Sequence, residues 1–258
     1  MLYFRHMKRK IIVGNWKMRP VSLDEAKRVF GAIKRTAGKL SSTHVVICPS
    51  FVYIDILRSK RGHSVVGIGA QNVFFEQEGS YTGEVSPSML KDFGVTHVIV
   101  GHSERRAMGE TDEIVAKKVQ AILEAGIHPI LCVGESVRDD HALYLETLRN
   151  QIKNSLTKTS KKLINHLIIA YEPVWAIGAK EPMDTATIQE MALFVKKVVS
   201  DIYGHDNGIA TPILYGGAVN FRNAGDIISR GGVDGLLVGH ESVNAPGFTE
   251  LLKAVDNL

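Results

Sequence analysis

Cysteine is nearly absent from this chain: its 258 residues include only Cys48 and Cys132, with no paired spacing and no CxxC. That excludes a disulfide scaffold and leads us to expect a reduced, cytoplasmic protein. Long apolar runs are missing too. No stretch of about 18 apolar residues occurs, so no membrane span is expected, and no signal peptide is evident. Neither charge sign dominates: 31 Lys and Arg stand against 27 Asp and Glu, a formal +4. The short clusters Lys8-Arg9-Lys10 and Lys161-Lys162 read as solvated faces rather than a nucleic-acid footprint. No Asp, Glu or His spacing suggests a metal site, and no Pro/Gly/Ser-rich linker divides the chain.

What the chain does hold is enough apolar material for a full core, 45% of its residues, in one barrel or two smaller domains. Residues 1–6 precede a more natural start at Met7, and read as a cloning remnant or an upstream extension. Residues 7–258 are expected to form one domain. Apolar, β-branched runs recur at Ile11–Val13, Val45–Cys48, Val65–Ala70, His97–Val100, Pro129–Val133, Leu167–Tyr171, Pro212–Tyr215 and Gly235–Val238, eight candidate strands. Between them lie stretches with helical spacing, clearest at 24–37, 112–125, 140–158 and 185–203. In 112–125 the apolar face is Ile114, Val115, Val119, Ile122 and Leu123, with Asp112 and Glu113 in the first turn and Gly126 as a stop. In 185–203 the stripe is Ile188, Met191, Val195, Val198 and Ile202. Helices after the second, third and seventh strands read as short.

Alternation of strand and helix predicts a parallel sheet, and eight units in this length predict an α/β fold, a single (β/α)8 barrel. A doubly wound open sheet is the rival. It wants GxGxxG after its first strand, where this chain has Gly14-Asn15-Trp16-Lys17.

Barrel chemistry sits at the C-terminal strand ends, and the polar residues there form a coherent set. The run Leu167–Ala170 stops at Tyr171-Glu172-Pro173, because proline cannot donate to a ladder. Glu172 is therefore left at a strand tip. The apolar segment after it, Pro173, Val174, Trp175, Ala176, Ile177 and Gly178, reads as a lid. Under such a lid a carboxylate has a raised pKa and suits a general base. Asn15 and Lys17 alternate around Trp16, so in an extended strand both side chains point the same way. Lys17 can hold an anion or a developing oxyanion, and Asn15 adds a donor. His102 precedes a helix or turn start, whose N–H groups favour neutral imidazole over the cation. A neutral His102 can donate to a carbonyl oxygen. Glu104 and Arg105 read as members of a rim salt-bridge network. Gly216-Gly217 and Gly239 let backbone amides approach a ligand, in the loops that commonly bind phosphate in barrels. Together these groups fit proton abstraction α to a carbonyl through an enediolate, which is aldose–ketose isomerisation. Such a reaction needs a lid, because water must be kept from a phosphorylated enediolate that readily expels phosphate.

The segments GNWKM (14–18), AQN (70–72), YTGEVS (81–86), GHSERR (101–106), CVGE (132–135), YEPVWAIG (171–178), YGGAV (215–219) and LLVG (236–239), in this order, resemble the triosephosphate isomerase family over residues 8–258. The resemblance implies interconversion of glyceraldehyde 3-phosphate and glycerone phosphate, without cofactor or metal. It implies Glu172 as base, His102 as electrophile, Lys17 and Asn15 as polarising groups, and Glu104 as the acid beside the electrophile. Gly178, Gly217, Ala218, Gly239 and His240 fall at phosphate-contacting positions, and residues 173–183 at the mobile lid. Loop 71–86 corresponds to a dimer arm with Tyr81, Thr82 and Gly83 near its tip, which implies a homodimer and no nucleic-acid or membrane partner.

Three departures from the family pattern stand out. Ala218 replaces a serine, losing a hydrogen bond that contributes about 0.5–1.5 kcal/mol, so somewhat weaker phosphate binding or slower lid closure is expected. His240-Glu241 replace small or basic residues, and Glu241 is expected to point away from the phosphate. Pro182 falls in the lid's second hinge and is expected to stiffen it. The remaining rivals are another phosphate-binding barrel enzyme, such as an epimerase or an indole-forming synthase, and a non-catalytic phosphate-binding barrel.

Overall fold

The computed structural model describes residues 9–62, 65–177 and 183–258; residues 1–6, with the proposed start at Met7, lie outside them. The strands are β1 (Lys10–Asn15), β2 (Thr43–Cys48), β3 (Gly67–Ala70), β4 (His97–Val100), β5 (His128–Val133), β6 (Ile168–Tyr171), β7 (Ile213–Tyr215) and β8 (Gly235–Val238). They pair in sequence order, all parallel, and β8 closes on β1. The helices are α1 (Leu23–Ala37), α2 (Phe51–Arg61), α3 (Pro87–Asp92), α4 (Ser103–Ala107), α5 (Asp112–Glu124), α6 (Leu143–Ser155), α7 (Thr185–Tyr203), α8 (His205–Ala210), α9 (Ala224–Arg230) and α10 (Ala245–Asp256). The (β/α)8 barrel expected from the alternation is the fold observed, and the open-sheet rival is excluded by closure.

Two apolar layers result from the period-2 alternation of strand side chains. Val13, Val46, Cys48, Ile99, Ile130, Cys132, Ile168, Ala170, Leu214 and Leu237 fill the barrel interior. The intervening residues, among them Ile12, Ile47, Val98, Leu131, Ile169 and Leu236, pack outward against the helices. Both cysteines are buried and unpaired.

Helix starts follow local chemistry. Ser22, Ser86, Thr111 and Asp184 each accept a backbone N–H three residues on, capping α1, α3, α5 and α7. Two expected stripes shift. Ile202 of α7 is exposed, and Val199 and Tyr203 are buried in its stead. That is the drift expected when a helix turns 3.6 residues per turn beneath a 3.5-residue pattern. In α5, Ile114 is only half buried, while Lys118 is buried. Its ammonium is paired with the buried Glu110 and bonded to Asn72 Oδ1 at 2.7 Å. Helix α6 starts at Leu143, three residues later than expected, because the Asp139 carboxylate accepts the N–H groups of His141, Leu143 and Tyr144 and fixes a loop there. Among the described residues no helix is long and apolar enough to cross a membrane.

Candidate active site

Asn15, Lys17, His102, Glu172, Ile177, Gly217, Ala218, Gly239 and His240 share one pocket of about 350 Å³ at the C-terminal end of the barrel. Their meeting follows from inward alternation. Asn15 follows Val13, and Glu172 follows Ala170, two residues on along the same inner face of β1 and β6.

Glu172 is 3% exposed. Its N–H bonds to Val133 O at 2.8 Å, and Gly216 N–H bonds to Tyr171 O at 2.8 Å, so the ladder on both sides grips the strand tip. Pro173 then has no N–H to give, and the chain leaves the sheet. Carboxylate Oε2 accepts the Ser103 N–H at 3.2 Å, and Oε1 lies 3.2 Å from His102 Nε2. Burial raises the Glu172 pKa above the usual carboxylate range, against the opposing pull of His102, the Ser103 N–H, Lys17 and the Cys132 thiol.

His102 is buried at the start of α4, where its Nδ1 accepts the Glu104 N–H at 3.2 Å. A ring nitrogen that accepts has no proton, so Nε2 carries it and faces the pocket. The helix start thus fixes the tautomer of His102.

Lys17 arrives by a different route from the one its spacing suggests. Strand β1 ends at Asn15, and Lys17 adopts φ 53°, a left-handed conformation rare outside glycine. The convergence of Asn15 and Lys17 is therefore made by a turn, not by strand alternation. Its N–H donates to Asn15 Oδ1 at 3.1 Å, and its carbonyl accepts from Ser50 Oγ at 3.0 Å and Gln71 Nε2 at 2.9 Å. Such a residue carries roughly 1–3 kcal/mol of backbone strain, held in place by its surroundings. The Lys17 ammonium pairs with Glu104 at 2.7 Å across the rim. Arg105 instead joins Glu110 at 3.1 Å, so the two rim ion pairs are separate.

The side of the pocket expected to take phosphate is built from backbone. Among the described residues the Gly217 and Ala218 N–H groups carry no backbone partner. Next to them, a side chain on Gly239 would meet Lys17 Cε at 3.4 Å. His240 is exposed at the mouth. Glu241 turns away, as expected: it accepts from Asn244 Nδ2 at 3.1 Å and does not line the pocket. Gly178 and Pro182 lie outside the described residues.

Above the pocket, Val174–Ala176 form a 3-10 turn, with Ala176 buried and Trp175 45% exposed. Trp175 Nε1 donates to Glu135 Oε1 at 3.0 Å, as does the Tyr171 hydroxyl at 2.8 Å. Met183 N–H donates to the Tyr215 hydroxyl at 3.3 Å. Glu135, Gln71, Ser103 and Cys132 were given no role by the sequence. Gln71 sits in AQN, Cys132 and Glu135 in CVGE, and Ser103 in GHSERR, which was the available signal. Loop 71–86 packs on itself: Phe74 lies against Phe75 and Tyr81 at 4.3 and 4.6 Å, while Tyr81, Thr82 and Gly83 are exposed. Among the described residues no three His, Cys, Asp or Glu side chains are placed to hold a metal ion.

The profile of the family described as "Triosephosphate isomerase" matches residues 10–255. The triosephosphate isomerase of Fusobacterium nucleatum is 42% identical over 251 residues, covering 96% of this chain and 99% of the relative. Those of Dehalococcoides mccartyi and Endomicrobium trichonymphae are 39% and 38% identical, each over 96% of this chain and over 97% and 99% of their own lengths. With this barrel, this rim and these relatives, the chain belongs to the triosephosphate isomerase family.

Proposed function

We propose that this protein is an isomerase that interconverts glyceraldehyde 3-phosphate and glycerone phosphate, with Glu172 as the base. The observation that carries the reading is the pairing of a buried, raised-pKa carboxylate with the Nε2–H of His102 at 3.2 Å in a pocket that also holds a lysine and open backbone amides. Glu172 removes a proton from the carbon next to the substrate carbonyl, and His102 Nε2–H and Lys17 stabilise the negative charge growing on oxygen. Glu172 returns the proton to the neighbouring carbon while the oxygen-bound proton moves between the two oxygens through His102. No electrons leave the substrate, so the step balances without a cofactor.

The N–H groups of Gly217, Ala218 and Gly239, with His240 beside them, receive the phosphate, and Asn15 and Lys17 orient the reacting end. Gly178 belongs to the same proposed cradle. Glu104 holds the Lys17 ammonium in place through their ion pair. The segment Pro173–Gly178 closes over the intermediate and excludes water.

The protein acts as a homodimer in this reading. Tyr81, Thr82 and Gly83 of the arm meet the partner beside its Lys17, where the exposed Met18 and Val21 supply apolar surface. Two free, buried thiols support a reducing, cytoplasmic setting.

The test is turnover of glyceraldehyde 3-phosphate in deuterium oxide, beside glyceraldehyde without its phosphate. The reading expects rapid isomerisation with solvent deuterium at the carbon next to the product carbonyl, and a large loss of efficiency on the unphosphorylated sugar. Equal efficiency on both sugars, or no isomerisation, would sink it.

A further inference from the structure

The floor of the barrel, opposite the active site, carries an unusual row of histidines. His44 on β2, His97 on β4 and His128 on β5 lie at inward strand positions, and His166 ends the 3-10 turn just before β6. His97 is the direct ladder partner of His128. Their ring centroids follow one another at 5.9 Å (His44–His97), 5.1 Å (His97–His128) and 5.0 Å (His128–His166). Between β2 and β4, strand β3 contributes Gly69, where any Cβ would strike Cys48, and Gly67. Absence of side chains there lets His44 and His97 meet across β3. The row runs from solvent inward: His166 is exposed, His44 and His128 are half buried, and His97 is buried.

The charges around this row are nearly all of one sign. Arg9, preceding β1, acts on His44, and the remaining electrostatic influences on His44, His97 and His128 come from the histidines themselves. The hydroxyl of Thr96, just before β4, lies 2.8 Å from His97 Nδ1, and His128 Nδ1 lies 3.1 Å from His166 O. The carboxylates at this end are engaged elsewhere. Asp234, before β8, accepts the Ile213 N–H at 2.9 Å and pairs with Lys196 of α7 at 3.3 Å. Asp256 of α10 accepts the N–H groups of Ser41 and Ser42 at 3.0 and 2.8 Å.

We propose that this histidine row is an acid-sensitive lock on the barrel floor: the neutral, packed rings of His44, His97 and His128 join β2, β4 and β5, and proton uptake turns them into adjacent like charges that open that end. Burial, then the neighbouring rings, hold His97 down to about 3, and burial lowers His44 and His128 as well. An unfolded chain takes up those protons near pH 6.5. The contribution of these three rings is thus fully present above about pH 6.5 and is lost as the pH falls from there towards 3. Each ring kept neutral in the fold multiplies the unfolded-to-folded ratio by about ten per pH unit across that window.

The experiment is denaturant unfolding at pH 8, 7, 6 and 5 with a chelator present, for the wild type, His97→Gln and His128→Gln, together with histidine-ring NMR titration of the folded wild type. The lock predicts that His97 stays neutral to pH 5 and that each variant's unfolding ratio climbs less steeply with acid than the wild type's. His128 is half exposed and far from the active site, so His128→Gln provides a foldable variant should His97→Gln fail to fold. A His97 ring that titrates near pH 6.5 in the folded protein, or identical acid slopes for wild type and variants, would overturn the proposal.

Discussion

Glycine at 134 is set by Glu172, the proposed base. A Cβ there would collide with the backbone carbonyl of Glu172, and one on Gly216 would come within 2.8 Å of Glu172 Cγ. Gly134→Ala is therefore expected to displace the carboxylate and to cost about 1–3 kcal/mol of stability by overpacking; kcat should fall more than KM rises, and steady-state kinetics checks this. The carboxylate itself works against the fold. Its pKa is raised by burial, so the folded state holds that proton more tightly than the unfolded one. The stability from this group is present below the unfolded carboxylate pKa and is lost as pH rises through the folded value. Glu172→Gln should raise the denaturation midpoint at neutral pH, with the gain fading in acid, while activity collapses. For the same reason kcat/KM should fall on the acid side as Glu172 takes up its proton, above the pH range of an ordinary exposed carboxylate; a pH–rate profile measures this. The identities of Glu172, His102 and Asn15 at strand ends were legible in the sequence, because strand runs end sharply there. The left-handed turn at Lys17 was not. It depends on Ser50 and Gln71, which come from other loops and hold its carbonyl.

Elements position these residues more than they contribute chemistry. Helix α4 is five residues long, yet its start points one N–H at Glu172 and another at His102, setting the base and the tautomer of its partner together. The turn in the proposed lid is anchored through Trp175 to Glu135, whose second carboxylate oxygen has no hydrogen-bond partner among the described residues. Trp175→Phe keeps the apolar cover but removes that donor, at about 0.5–1.5 kcal/mol. Its expected effect is a lower kcat from a misplaced lid with little change in overall stability, which stopped-flow turnover and thermal melting separate. The apolar segment after Glu172 was legible, but what anchors it was not, since Glu135 lies at the end of a different strand. The same holds for the pair that Lys118 of α5 makes with Glu110, which precedes that helix. Helical periodicity places Lys118 among apolar neighbours without saying what neutralises it.

At the scale of the molecule, the barrel was the most legible feature, because eight apolar runs separated by helical stretches leave little other topology. Closure in sequence order then brings Asn15, His102, Glu172 and Gly217 to one rim although they span most of the chain. The proposed dimer rests first on the family resemblance. The self-packed arm and the exposed Met18, Val21 and Val52 give it a physical basis. Light scattering should give the mass of two chains, and a monomeric mass with full activity would refute the dimer. The central claim is that this rim isomerises a triose phosphate with Glu172 as base. Its most direct test is turnover of glyceraldehyde 3-phosphate by the wild type and by Glu172→Gln. General-base catalysis contributes about 10²–10⁴-fold, so a fast wild type and a variant slower by at least that factor are predicted; a wild type no faster than the variant would contradict the account.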